Sequence, residues 1–334
     1  MIISRTPFRV SLFGGGSDYP KWSSEHGGAV LGCAIDKYCY ISVRRLPPFF
    51  EHKHRIVYSK IETVNCVKEI EHPAVKHVLS EMDVETGLEI HHDGDLPART
   101  GLGSSSSFTV GLLHALHALD NRMVTKQALA QQAIHIEQDV IREHVGSQDQ
   151  IWAAYGGLNR IDFRSNGAFE VKPLIISPAR SQELLGSFLL FYTGLSRFAS
   201  TVAEKQIANL DKRGGHIQRM VEMVDDAEAI IAGDNRSIFE LGSLLDEAWA
   251  LKRDLADGVT NPQIDRIYEA ALSAGATGGK LLGAGGGGFM LFQVPPERQA
   301  AVQERLDTLI SLPLGIDSSG SKIVVYEPNG LNAH

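Results

Sequence analysis

Thiols are scarce in this chain: three cysteines, Cys33, Cys39 and Cys66, are scattered through 334 residues with no Cys-x-x-Cys spacing. That odd set excludes a disulfide framework and a thiolate zinc site, and it fits a reducing compartment. Thirteen histidines do not substitute, because His52/His54, His91/His92 and His114/His117 form no His-Glu-x-x-His pattern with a third ligand. Positive charge is in deficit too. Lysine and arginine number 32 against 40 aspartates and glutamates, a formal net charge of −8, which argues against broad binding to nucleic acid or to an anionic membrane. An anionic ligand therefore needs a local pocket, and small molecules are the expected partners. No apolar run approaches the roughly 18 residues of a membrane span. The start from Met1 to Arg5 lacks a secretion-signal layout, so a cytoplasmic location is expected. At 43% hydrophobic and 22% charged residues the chain reads as globular, with room for about two domains.

Glycine, by contrast, is plentiful and clustered. The stretch Leu96-Pro97-Ala98-Arg99-Thr100-Gly101-Leu102-Gly103-Ser104-Ser105-Ser106-Ser107 runs straight into Phe108, Leu112, Leu116 and Leu119 at helical spacing. Gly101 and Gly103 thus lie where the chain enters a helix whose first amides lack internal partners. Those amides, the serine hydroxyls and the helix dipole suit a phosphate. The absence of a Gly-Lys-Ser/Thr continuation excludes a Walker loop, and a flexible linker would not lead directly into an amphipathic helix.

Around this cradle the pattern predicts a first strand through Phe8, Val10 and Leu12, ending in the turn Gly14-Gly15-Gly16. It predicts strands near 28–45, 55–59 and 87–92, a helix from Thr125 to Val145 stopped by Gly146, and a hairpin over 158–163 and 169–176. The second half reads as a strand near 188–192, a long helical region, a strand near 289–294, a helix near 297–310 and a final strand near 322–326. Strands and helices that do not alternate regularly indicate an α+β fold.

Four further constellations carry chemistry. Glu137 has Ala133, Ile134, Val140 and Ile141 as helical neighbours, so its carboxylate lies on an apolar stripe. It is either half of a structural salt bridge or a magnesium ligand. Asp149, in Gly146-Ser147-Gln148-Asp149-Gln150, is either a turn residue or a base that accepts a hydroxyl proton. Arg9 and Asp18 flank the first glycine turn, either as a solvated strand and hairpin or as an electrostatic group and a substrate ligand. The run Gly278-Gly279-Lys280-Leu281-Leu282-Gly283-Ala284-Gly285-Gly286-Gly287-Gly288-Phe289 implies close backbone approach to a ligand or another loop.

In this order and spacing, over nearly the whole chain, these elements resemble the GHMP kinase superfamily. Its nucleotide motif, Pro-x-x-x-Gly-Leu-Gly-Ser-Ser, is met by Pro97 to Ser105, and its third motif is similar to Lys280 through Phe289. In its sugar kinases a magnesium-binding glutamate precedes the catalytic aspartate by twelve residues, as Glu137 precedes Asp149. The resemblance implies a ribosomal-protein-like N-terminal domain over 1–177 and a ferredoxin-like C-terminal domain over 178–334. It also implies ATP held by Pro97, Gly101, Leu102, Gly103, Ser104, Ser105 and Ser106, with Mg2+ on Ser105 and Glu137. Asp149 becomes the catalytic base, supported by Arg9.

The superfamily's galactokinase motif Gly-Glu-His-Thr-Asp-Tyr is replaced here by Gly14-Gly15-Gly16-Ser17-Asp18-Tyr19, which keeps the aspartate and opens space for a different or larger sugar. Gly15, Gly16, Ser17 and Asp18, with Gly285 and Gly286, are the implied substrate residues. Glu25 to Val30, Ala34 to Tyr38, Tyr192 to Arg197 and Asn261 to Asp265 are most similar to the branch that phosphorylates D-glycero-α-D-manno-heptose 7-phosphate at its anomeric hydroxyl. Arg99 stands where that branch usually has a small residue. A second phosphate on the substrate needs its own cation, for which Arg197 and Lys252 are the candidates. A kinase of an unphosphorylated sugar such as fucose, or a non-catalytic sugar and ATP sensor, are the competing readings.

Overall fold

A computed structural model describes residues 1–98, 100–195, 199–233 and 235–328. Its larger sheet grows from one long antiparallel pair, β1 (Ile2–Phe13) and β2 (Gly28–Arg45), connected through α1 (Pro20–His26). Every residue of β1 from Thr6 to Phe13 is buried, so both faces of this half-strand are covered. Its register against β2 shifts between Pro7 and Arg9 and again between Ser11 and Phe13. Such irregularities re-aim side chains beside functional sites.

β3 (His54–Val57) and β4 (Ile61–Val64) form a hairpin, and α2 (Pro73–Glu81) leads to β5 (Leu88–Gly94), which pairs with both β2 and β3. α3 (Ser104–Leu119) packs on β1 and β2 with Val110, Leu112, Leu113 and Leu116 buried. α4 (Lys126–His135) and α5 (Gln148–Tyr155) follow, and the hairpin of β6 (Leu158–Phe163) and β7 (Phe169–Pro173) extends the sheet from the first half of β2.

The second domain runs through α6 (Pro178–Gly186), β8 (Phe188–Tyr192), α7 (Ala199–Asn209), α8 (Gly214–Ala232), α9 (Glu240–Arg253) and α10 (Pro262–Ala274). It continues with β9 (Gly278–Leu281), β10 (Phe289–Gln293), α11 (Pro296–Arg305) and β11 (Ile310–Leu312). Its four strands pair antiparallel in the order β11-β8-β10-β9, the ferredoxin-like arrangement. β12 (Lys322–Tyr326) then returns to the first sheet beside β1. The division at 177/178 therefore separates the two sheets for every strand except the last. Among the described residues no helix is long and apolar enough to cross a membrane.

Two expected helices are shorter than their apolar pattern. Thr125 does cap α4, its hydroxyl accepting from the Ala128 amide at 3.1 Å, but the helix widens into a π-turn over Ile136–Val140 and ends as Arg142 turns to φ 64°. Gly146 is no helix stop. A β-carbon there would lie 1.8 Å from Asp18 Oδ2, so glycine marks a tertiary approach between the first turn and the chain before α5. The helix expected to reach 310 ends at Arg305, because Ile310 to Leu312 pairs with β8 as an edge strand.

Candidate active site

Asp149 sits in the first turn of α5 rather than just beyond the preceding helix. Arg9 meets it fork to fork, Nε donating to Oδ1 and Nη2 to Oδ2, both at 2.7 Å. The third guanidinium nitrogen, Nη1, donates to the Gly101 carbonyl at 2.6 Å, and the Arg9 amide donates to Leu102 O at 3.0 Å. One residue thus holds the carboxylate and the glycine-serine loop together. Arg9 is 5% exposed, which removes the solvated-strand alternative.

The loop reaches this pair because Gly103 adopts φ 75°; a β-carbon there would come within 3.2 Å of Arg9 Cγ and 3.3 Å of Asp149 Oδ2. Behind it, the third glycine run is in backbone contact with the loop: Phe289 donates to Thr100 O at 3.2 Å, and a β-carbon on Gly283 would lie 2.5 Å from Gly101 Cα. Gly285 and Gly286 lie against Val259, whose carbonyl accepts from the Gly286 amide at 2.9 Å.

On the other side, Asp18 is buried, with Oδ1 accepting from the Gly16 amide at 3.0 Å and Oδ2 from Gln148 Nε2 at 2.9 Å. Burial and then the Asp149 charge push its carboxyl up from the ordinary range. Ser17 turns inward: its hydroxyl donates to Gly14 O and Ala29 O, so it staples the turn. Gly15 borders Ser11 and Gln148, which would stand 3.7 and 3.8 Å from a β-carbon placed there.

Glu137 lies in the π-turn, 1% exposed. Ser106 donates to its Oε2 at 2.8 Å and Gln150 Nε2 donates to the same oxygen, while Oε1 is buried with no partner among the described residues. Burial raises its pKa to about 7, more than the neutral donors beside it offset. No cation pairs with it among the described residues, so the structural salt bridge is not formed. A bare carboxylate oxygen beside hydroxyls at a helix N-terminus is a hard-oxygen donor set that fits a magnesium ion. It is Ser106, and not the exposed Ser105, whose hydroxyl meets Glu137.

Family models for the N-terminal and C-terminal domains of GHMP kinases match residues 65–157 and 227–310. The chain belongs to the GHMP kinases. A D-glycero-alpha-D-manno-heptose 7-phosphate kinase of Campylobacter jejuni is 28% identical over 89% of this chain and 91% of its own length. A bifunctional fucokinase/GDP-fucose pyrophosphorylase of Arabidopsis thaliana is also 28% identical, over 90% of this chain but 30% of that longer protein. Among solved structures, a D-glycero-D-manno-heptose 1-phosphate kinase from Bacteroides thetaiotaomicron superposes with a TM-score of 0.80 at 22% identity, covering 98% of this chain and 100% of that one.

Within this GHMP kinase, the elements expected from the motifs converge: Arg9, Asp149, Gly101, Gly103 and the third glycine run share one centre. Lys252 is placed differently from an exposed or phosphate-facing cation. It is buried, and Nζ donates to Leu281 O at 2.8 Å and to Gly283 O, so it shapes the third loop. Its placement lends no support to a second-phosphate role. Arg197 and Arg99 lie outside the described residues. Sequence reasoning missed Gln148 and Gln150, which flank Asp149 and bind Asp18 and Glu137. Two glutamines around an aspartate leave no periodic signal; their pairing with distant carboxylates is visible only in three dimensions.

Proposed function

We propose that this chain is an ATP-dependent sugar 1-kinase acting on the anomeric hydroxyl of a heptose 7-phosphate. The observation that carries the reading is the Arg9–Asp149 pair lying directly against the phosphate-binding glycine-serine loop. With ATP phosphates on the first amides of α3, Asp149 accepts the anomeric proton as that oxygen attacks the γ-phosphorus in line. The new O–P bond forms as the β,γ-bridging bond breaks, and ADP leaves. Arg9 fixes the plane of the Asp149 carboxylate, and Asp18, oriented by Gly16 and Gln148, accepts from a sugar hydroxyl. Glu137 with Ser106 or Ser105 would hold magnesium, which when bound supplies charge neutralisation at the phosphates.

The 7-phosphate preference draws support from the name of the Campylobacter relative and from the Gly15 and Gly16 turn, which leaves room for a larger sugar. Arg197 is the proposed partner of that phosphate. A fucose kinase is the second reading, because the Arabidopsis relative is equally similar by identity. An ATP-consumption screen over free sugars and sugar phosphates separates them. Preference for heptose 7-phosphate supports the first reading, preference for free fucose the second, and no consumption with any sugar would leave a sensor.

A further inference from the structure

Lys280 lies on β9 just before the third glycine run, is 4% exposed, and donates from Nζ to Leu12 O at 2.8 Å. Leu12 is three residues beyond Arg9 on β1 and two before the turn that carries Asp18. One ammonium group therefore ties the second domain's glycine loop to the strand that holds the base and leads to the sugar side. A neutral donor could make that bond without the cost of burying a charge.

The groups around Lys280 sharpen the point. Arg9 from β1 and Lys252 from α9 are both basic, and Lys252 Nζ donates to loop carbonyls. The carboxylates of the site are engaged elsewhere, Asp149 by Arg9 and Asp18 by Gly16 and Gln148. Neither lysine has a carboxylate partner among the described residues. Burial, reinforced by Arg9, pushes Lys280 down to about 7, and burial with Lys280 and Arg9 lowers Lys252 well below its ordinary value. Burying a lysine without a counter-ion is costly, and these two stand behind the third glycine loop and the end of β1. Charge fixed in advance toward the place where negative charge develops is the effective form of electrostatic catalysis.

We propose that Lys280 is a positioning residue for phosphoryl transfer, tying the third glycine loop to the end of β1 and supplying positive charge beneath the transferring group. This rests on the kinase reading of the site and adds a residue with no role in it so far. The test is steady-state kinetics of Lys280→Met and Lys280→Arg, with ATP and the best acceptor from the sugar screen, alongside melting temperatures. Lys280→Met should lower kcat by at least about tenfold, toward the roughly 100-fold cost of losing one preorganised donor. KM for ATP and sugar should stay within about threefold, and Lys280→Arg should recover most of the rate. A Met variant within about twofold of wild-type kcat, or an Arg variant as slow as the Met variant, overturns the proposal. Should the Met variant not fold, the wild-type Lys280 side-chain NMR signal, assigned by its loss in Lys280→Arg, should move when ADP, magnesium and aluminium fluoride bind with acceptor. An unmoved signal overturns it equally. An inactive wild type would defeat the kinase reading instead, whereas an active wild type with a fast Met variant defeats only the role of Lys280.

Discussion

Two carboxylates twelve residues apart receive opposite treatment. Asp149 is completed by the protein itself, both oxygens taken by the Arg9 fork. Glu137 is buried with neutral donors on one oxygen and, among the described residues, nothing on the other, and its pKa rises to about 7. The first is a carboxylate whose direction the guanidinium fixes. The second is a buried carboxyl with one oxygen that no described residue meets, the feature on which the proposed magnesium role rests. Sequence spacing put Glu137 on the apolar stripe of a helix and Asp149 in the segment beyond its end; the partners each one meets are visible only in the fold.

The largest effect should come from the finished charge. Asp149→Asn keeps the shape and removes the proton acceptor, so kcat should fall roughly 100- to 10,000-fold while ATP still binds. Near-normal turnover would reduce Asp149 to a helix-start residue. Glu137→Gln should raise the magnesium concentration needed for half-maximal rate and depress turnover without lowering the melting temperature, since no ion pair is lost. A large drop in melting temperature with unchanged magnesium dependence would reverse the comparison.

Stability against pH sharpens it further. In metal-free protein Glu137 keeps its proton up to about pH 7, whereas the ordinary value is 4.5. The native state binds more protons across that window, so its stability falls as pH rises through it. In chelator, Glu137→Gln should reduce the loss of unfolding free energy between pH 5 and 8 by about 2 to 3 kcal/mol, as measured by urea titration. Identical pH slopes in the two proteins would mean that Glu137 is ionised throughout. The smallest effect belongs to Ser106→Ala, which removes one of the donors to Glu137 and should cost about 1 kcal/mol of stability, with the magnesium requirement shifted in the same direction as in Glu137→Gln.

What was legible in the sequence was local. The glycine-serine turn before Phe108, Leu112 and Leu116, the alternation around Arg9, and the Thr125 cap all follow from spacing along one element. What escaped depends on other elements. The apolar pattern through Val140 and Ile141 reads as a continuing helix, but the backbone leaves it in a π-turn, and Gly146 is required by contact with Asp18 from the first turn. The motif ends on Ser105, which the resemblance gives to the metal, but the direction of one helix turn decides that Ser106 meets Glu137. Lys252 looks like a helix-surface cation until β9 and its loop close over it. The return of β12 to β1 likewise has no local mark.

The central claim is transfer of the γ-phosphoryl group from ATP to an anomeric oxygen, with Asp149 as the base. Phosphorus and proton NMR of the purified protein with ATP, magnesium and heptose 7-phosphate tests it directly. The ATP γ-signal should fade as a new phosphorus signal appears coupled to the anomeric proton, with the original sugar phosphate retained. A new phosphate coupled to any other sugar proton, or ATP and sugar left unchanged, would contradict it.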